Sequence, residues 1–224
     1  MSETQTDRLT IYADYVCPFC YLGHASLDQY RETRESPLEI DWQPFDLRSG
    51  KRGPDGEIDH EADDSEGRSP SGSRTQSDDG KDDEYFEQAR QNVRRLKEEY
   101  GVEMSQEIAR EVDSLPAQAA SLYVRENHPE QWAAFDDAIY AALWKEGRDI
   151  GNRDVLADIC EEIGLDPDEV LDAIEDEELR ARLDEQFAVA QQRGVTGVPT
   201  FVYEGQAARG AVPPEQLKRL VEGV

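Results

Sequence analysis

The chain has few cysteines, little lysine and no long apolar run. Three cysteines among 224 residues are too few for the disulfide framework of a small secreted protein. No stretch approaches the roughly 20 apolar residues that a membrane helix needs, and residues 1–9 lack the apolar core of a secretory signal. We therefore expect a cytoplasmic protein without a membrane partner.

Positive charge is also scarce. The 51 acidic residues outnumber the 24 basic ones and give a net charge of −27, spread along the whole chain. Such a surface repels phosphate backbones, so no nucleic-acid partner is expected. The basic residues are mostly arginine, and this profile resembles proteins of a molar-salt cytoplasm, where charges are screened over about 3 Å. Ordinary acidic solubility is the alternative, although this charge exceeds the usual range of about 2–8 for a small domain.

The most informative feature that is present is a pair of cysteines, Cys17 and Cys20, where a predicted strand (Leu9 to Tyr15) gives way to a helix. A thiol at the first helical turn faces unpaired backbone N–H groups and the positive end of the helix dipole, and both favour the thiolate. The spacing puts the second sulfur on the same helical face, and Pro18 stiffens the loop between them. The motif predicts thiol–disulfide exchange, with Cys17 attacking and Cys20 resolving.

Two other interpretations of the CxxC pair are a zinc site and two buried core cysteines. Core cysteines rarely bracket a proline at a helix start. A zinc site would need two more ligands, and the rest of the chain offers only Cys160, His24, His60 and His128. None of these forms a second ligand pair, and Cys160 falls on an apolar helical face, as expected of an inert core thiol. The sequence also lacks GxGxxG and P-loop patterns, so we expect neither a metal nor any other cofactor.

Turn residues and hydrophobic period divide the chain into four segments. The first contains strand, helix and strand, which is a βαβ unit; the second is rich in Gly, Ser and Asp and has almost no aliphatic residue; the third is helical throughout; and the last contains two short strands and a helix. The pattern predicts an α/β protein, a thioredoxin fold with an inserted α-helical domain. The segments are the N-terminal βαβ portion of the thioredoxin fold (1–48), an acidic flexible loop (49–83), the inserted helical domain (84–194) and the C-terminal ββα portion of the thioredoxin fold (195–224).

Capping residues mark helix ends within the third segment. Asn152 is predicted to cap a helix that ends at Gly164. A long helical stretch should then open at Asp166-Pro167 and run to Gly194, with a break near Asp176.

Two motifs resemble those of the DsbA-like thioredoxin-fold oxidoreductases, specifically the FrnE-like branch. They are YVCPFCYLG at residues 15–23 and GVTGVPTF at residues 194–201. The resemblance implies that the proline of the second motif is cis and packs beside the CxxC, which leaves the backbone of Val198 free to pair with an extended substrate. The expected substrate-binding residues are Pro18, Phe19, Val198 and Pro199.

The chain also departs from the family pattern. Phe19 stands where strongly oxidising DsbA enzymes have His, so the thiolate of Cys17 loses a stabilising neighbour and the disulfide should be less oxidising. Two roles are open for Asp14: if buried, it would raise the pKa of the Cys17 thiol further, or it would serve as a proton acceptor for Cys20. A solvated aspartate at the strand end is the alternative. His24 is expected on the surface or in the substrate groove.

The resemblance implies a protein or small-molecule thiol or disulfide as substrate and an unidentified redox partner, for a monomer or homodimer. Hydroxychromene-carboxylate isomerases and kappa-class glutathione transferases share this architecture but bind a low-molecular-weight thiol, commonly with Ser where the first cysteine stands. A third hypothesis is a non-enzymatic peptide-binding or chaperone module that uses the same groove.

Overall fold

The computed structural model describes residues 7–52, residue 58 and residues 83–223. Their strands are β1 (Asp7–Ala13), β2 (Leu38–Pro44), β3 (Thr200–Tyr203) and β4 (Gln206–Arg209). They form one sheet in the order β2-β1-β3-β4, in which β1 and β2 are parallel and β3 is antiparallel to both of its neighbours. The helices are α1 (Pro18–Glu32), α2 (Asp83–Tyr100), α3 (Leu115–Asn127), α4 (Pro129–Trp144), α5 (Arg153–Ile163), α6 (Pro167–Ala173), α7 (Glu177–Gln192) and α8 (Pro214–Glu222).

The parallel pair and the antiparallel hairpin meet at β1, which lies in the middle of the sheet. Its alternating side chains divide between two apolar clusters: Leu9 and Ile11 join the main core, while Tyr12 packs with Ala190 of α7 and Val195. In the chain, α2 to α7 lie between β2 and β3. The predicted α/β architecture is therefore confirmed, with a helical insertion in the connection between β2 and β3.

The junction of β1 and α1 corrects one predicted boundary. The strand ends at Ala13 instead of Tyr15, because the chain turns at Asp14, whose carbonyl oxygen accepts a hydrogen bond from the N–H of Cys17 at 3.1 Å. Cys17 then occupies the N-cap of α1 with extended backbone angles, and Pro18 is the first helical residue, where its missing N–H costs no helical hydrogen bond.

The helical caps follow the sequence. The side chain of Asn152 accepts a hydrogen bond from the N–H of Asp154 at the start of α5, and Gly164 ends that helix with φ of 78°. The predicted break near Asp176 is confirmed, because this side chain accepts from the N–H of Leu179 and starts α7 as a separate helix.

Most of the predicted flexible loop at 49–83, including His60, lies outside the described residues. Of this segment, Ser49–Lys51 form a 3-10 turn, and Arg52 pairs with Ile58 in an isolated bridge. Among the described helices, none combines the length and apolar character needed to cross a bilayer.

Candidate active site

Cys17 lies at the positive end of α1 and lines a surface groove of about 260 Å³. Although only 4% of the residue is exposed, the groove reaches it. Pro18, Phe19 and Val198 line the same groove, so three of the four predicted substrate-binding residues share one surface with the predicted nucleophile.

Val198 meets the first cysteine from the far end of the chain. The thiol of Cys17 donates to the carbonyl oxygen of Val198 at 3.5 Å, and the Val198–Pro199 peptide bond is cis, as the resemblance implied. Val198 belongs to no strand, because β3 begins at Thr200. Its backbone therefore borders the groove beside the sulfur, where an extended substrate would have to pass.

Two arginines of the groove pair with groups other than carboxylates. Arg48 donates to the backbone carbonyl oxygens of Ala109 and Arg110, and the guanidinium of Arg110 lies 3.6 Å from the ring centre of Phe86. Neither arginine forms a salt bridge with any described residue, although the chain is strongly acidic. The groove thus offers positive charge and an aromatic wall close to Cys17.

Cys20 does not line this groove. It lines a second pocket of about 190 Å³ together with Pro199. Burial raises the pKa of the Cys20 thiol well above its usual range, and the neighbouring Cys17 raises it further. Cys17 therefore borders the groove, whereas Cys20 lies outside it with a raised thiol pKa, as expected of a resolving cysteine.

Gly23 allows α1 to approach Pro199 closely. A Cβ atom at position 23 would lie 3.1 Å from Cγ of Pro199 and 3.2 Å from Cζ of Phe201. Because most real contacts of a Cβ are longer than this, any side chain at Gly23 would push against the proline beside the two cysteines.

Asp14 is fully buried at the base of the CxxC turn, so the solvated alternative is wrong. Its carboxylate accepts hydrogen bonds from the N–H of Leu47 at 2.8 Å and from the side chain of Gln118 at 3.2 Å. Burial raises the pKa of Asp14 to about 6, against the lowering effect of hydrogen bonds from Ser114 and from the backbone of Leu47. The group can therefore gain and lose a proton near neutral pH, close to Cys20.

His24 lies one turn beyond Cys20 and lines the second pocket instead of the groove at Cys17. Its Nε2 lies 3.4 Å from a carboxylate oxygen of Asp136 and 3.4 Å from one of Asp137, both in α4. Burial lowers the pKa of His24, but the hydrogen bonds and charges of Asp136 and Asp28 outweigh it and raise the pKa to about 10.

Cys160 is buried in the apolar core, on the face of α5 that also buries Leu156 and Ile159. Burial raises the pKa of its thiol to about 11, so little thiolate forms near neutral pH. It lines neither the groove nor the second pocket. This is the arrangement expected of an inert core thiol.

Several residues around the cysteines were not identified from the sequence. They are supplied by the loop after β2 and by the helical insertion, and they include Arg48, Arg110, Gln118, Asp136 and Tyr140. No local pattern marks them, since an isolated Arg or Asp in so charged a chain is indistinguishable from a solvated surface residue.

A model of the DSBA-like thioredoxin domain family matches residues 8–222. The uncharacterised protein YwbO of Bacillus subtilis (strain 168) is 23% identical over 218 residues, which cover 96% of each chain. A probable DsbA oxidoreductase from Streptomyces coelicolor has a TM-score of 0.71 and 21% identity, over 97% of this chain and 90% of its own. A 2-hydroxychromene-2-carboxylate isomerase has a TM-score of 0.68 and 21% identity, over 96% of this chain and 93% of its own. The predicted DsbA-like thioredoxin fold is confirmed.

Proposed function

The chain belongs to the family of DSBA-like thioredoxin domains, and on this basis we propose that it is a thiol–disulfide oxidoreductase that works through Cys17 and Cys20. The observation that carries the proposal is the unequal placement of the two sulfurs. Cys17 lines the groove beside the Val198 carbonyl, whereas Cys20 lies outside that groove and has a raised thiol pKa.

In the reducing direction, the thiolate of Cys17 attacks one sulfur of a substrate disulfide. The substrate S–S bond breaks, a bond forms between Cys17 and that sulfur, and the released sulfur takes up a proton. Cys20 then loses its proton and attacks Cys17, which releases the second substrate thiol and leaves a Cys17–Cys20 disulfide. Two electrons pass from enzyme to substrate, and the reverse sequence oxidises a dithiol.

The second step needs a proton acceptor, because burial keeps Cys20 protonated. Asp14 supports this role, since it is buried near Cys20 and its pKa of about 6 leaves most of it ionised at neutral pH. An ionised Asp14 also opposes a Cys20 thiolate by charge repulsion. Transfer of the proton from Cys20 to Asp14 removes that repulsion in the same step.

The groove supports substrates that present an extended backbone beside the reacting sulfur. The backbone of Val198 can pair with such a segment as a short added strand, and Pro18 and Phe19 line the same groove. Arg48 and Arg110 favour a substrate that carries carboxylate groups. Both a protein segment and a small acidic thiol have this chemistry, so we propose a protein or small-molecule thiol or disulfide as substrate.

The net charge of −27 supports the proposal that the protein functions in a cytoplasm of high salt, where screening reduces the repulsion between acidic side chains. A reducing compartment also agrees with a chain that has one cysteine pair and one buried thiol. Three points stay predictions. They are membership in the FrnE-like branch, dependence on a redox partner, and assembly as a monomer or homodimer.

Reduction of insulin disulfides by dithiothreitol, in molar KCl, tests the proposed function. We expect the wild-type chain to accelerate insulin precipitation and Cys17→Ser to abolish the acceleration. A peptide-binding module would leave the rate unchanged, and an isomerase of the hydroxychromene type would act instead on its small substrate. The reduction potential then gives the direction of electron flow, because about 30 mV changes the equilibrium constant tenfold.

A further inference from the structure

We propose that Gln118, near the start of α3, is a positioning residue whose side-chain amide keeps Asp14 ionised, so that this carboxylate is ready to take the proton of Cys20. The inference rests on the proposed function, in which Asp14 accepts that proton. It gives the helical insertion a part in the chemistry, because α3 lies between β2 and β3 in the chain.

Gln118 contacts the carboxylate directly. Its Nε2 lies 3.2 Å from Oδ1 of Asp14, 3.1 Å from the hydroxyl oxygen of Ser114 and 3.3 Å from the backbone carbonyl oxygen of Phe45. The side chains of Gln118, Asp14 and Ser114 are all fully buried. A hydrogen bond to a charged group is stronger in such surroundings than in water, so the loss of this donor should change the ionisation of Asp14.

The orientation of the amide agrees with an ionised acceptor. Oε1 of Gln118 is buried and has no hydrogen-bond partner among the described residues, although buried polar atoms ordinarily have one. Turning the amide over would put Oε1 where Nε2 now lies, against oxygens of Asp14 and Phe45. Neither oxygen can donate while Asp14 is ionised. The amide therefore leaves its oxygen unpaired and donates from its nitrogen.

The other described hydrogen bonds to the Asp14 carboxylate also come from donors. The N–H of Val16 lies 3.3 Å from Oδ1, the N–H of Leu47 lies 2.8 Å from Oδ2, and the Ser114 hydroxyl donates as well. A protonated Asp14 would need an acceptor for its own O–H, and these groups offer only donors. The hydrogen bonds thus oppose the effect of burial and favour the ionised form.

Charged and titratable groups of two neighbouring segments also act on Asp14. In the loop after β2, Asp46 raises the pKa of Asp14 and the charge of Arg48 attracts the carboxylate; in α1, Cys20 is the proposed proton donor. Gln118 is neutral. Its replacement by an apolar side chain therefore changes the hydrogen bonding of Asp14 and leaves all of these charges in place.

The test measures the ionisation of Asp14 by the ¹³C chemical shift of its carboxyl carbon, titrated in the reduced full chain in molar KCl and assigned by its absence from Asp14→Asn. Gln118→Met removes the donor and nearly keeps the length of the side chain. We expect the midpoint to rise by about one pH unit, which is about tenfold tighter proton binding. Gln118→Leu lacks the donor but packs differently, and it should shift the midpoint in the same direction.

Gln43→Met is the matched control. Gln43 donates instead to a carboxylate oxygen of Asp41, at 2.8 Å, so its replacement should leave the midpoint of Asp14 unchanged. An Asp14 midpoint that stays at the wild-type value in both Gln118 variants, or that moves equally in the control, would overturn the proposal.

The pH profile of the resolving step gives a second readout. In Gln118→Met its midpoint should rise by the same unit, so the rate should fall by about twofold at pH 7 and match the wild type about two units higher. A merely structural role would lower the rate by one factor at every pH and would contradict the proposal. A shifted carboxyl midpoint in a chain without thiol–disulfide turnover would instead contradict the proposed function, and it would support the control of Asp14 by Gln118.

Discussion

The thiol of Cys17 and the carbonyl oxygen of Val198 lie 3.5 Å apart, although 181 residues separate them in the chain. The contact joins the start of α1 to the segment that leads into β3, so the reacting sulfur and the backbone that would hold a substrate belong to opposite ends of the sequence. A substrate strand that pairs with Val198 is thereby placed beside the sulfur.

The unequal access of the two cysteines predicts which of them forms the mixed disulfide. Cys20→Ser should accumulate a mixed disulfide between Cys17 and a protein or small dithiol substrate, because attack proceeds and resolution cannot. Cys17→Ser should form almost none. Mass spectrometry of alkylated, non-reduced samples measures both species. Equal trapping by the two variants would contradict the assignment of roles.

The burial of Asp14 near Cys20 predicts that this carboxylate affects the rate of the resolving step. Asp14→Asn removes the proposed proton acceptor, so resolution of the mixed disulfide by Cys20 should slow by about 10²-fold at pH 7. Attack by Cys17 on an aromatic disulfide reagent is the internal control and should change by less than about twofold. Stopped-flow absorbance separates the two steps. If both steps slowed equally, Asp14 would have a structural role and not a proton-transfer role.

Asp14 also predicts how stability depends on pH. Burial raises its folded-state pKa from 3.8 to about 6, so the folded state binds the proton more tightly than the unfolded chain does. The free energy of unfolding should therefore fall as pH rises from about 4 to 6, by at most about 3 kcal/mol, and this loss persists above pH 6.

The measurement compares urea unfolding of the wild type and of Asp14→Asn across this pH range in constant KCl. The variant cannot ionise at position 14, so its stability relative to the wild type should improve as pH rises. A difference that is independent of pH would show that Asp14 does not titrate with a raised pKa.

Gly23 predicts a steric effect on the active site. Gly23→Ala places a methyl group 3.1 Å from Pro199, and the overpacking cost of about 1–3 kcal/mol should exceed the gain of about 0.5–1 kcal/mol from a better helix former. The net change should be a loss of stability together with slower insulin reduction. Gly50→Ala is the matched control, because no atom lies within 4 Å of the position that its Cβ would occupy. Equal melting temperatures for Gly23→Ala and Gly50→Ala would contradict the close packing of α1 against Pro199.

The acidic composition predicts that stability depends on salt. The melting temperature should rise between low and molar KCl as repulsion among the carboxylates is screened, by about 2–4 °C for each kcal/mol recovered. Sulfate also strengthens the hydrophobic effect, so a comparison of KCl with potassium sulfate at equal ionic strength separates the two contributions. A melting temperature indifferent to KCl would remove the support for a high-salt environment.

Much of the fold could be predicted because its signals are local. The caps at Asn152 and Asp176, the period of the helices and the CxxC at the end of β1 depend on residues a few positions apart. The C-terminal end of β1 was predicted two residues too late. The turn at Asp14 is closed by a backbone hydrogen bond from Cys17, and no residue type in the sequence marks it.

The sequence by itself determined the two cysteines to which we assign the proposed chemistry, Cys17 and Cys20, and the kind of element on which they stand. Only the tertiary structure decided that Cys20 lies outside the groove that Cys17 lines, that Asp14 is buried, and that His24 meets two carboxylates of α4. The physical reason is that thiol reactivity and helix formation follow from chemical identity and near neighbours. Burial and pKa instead depend on which distant segments pack together, and no local pattern encodes that.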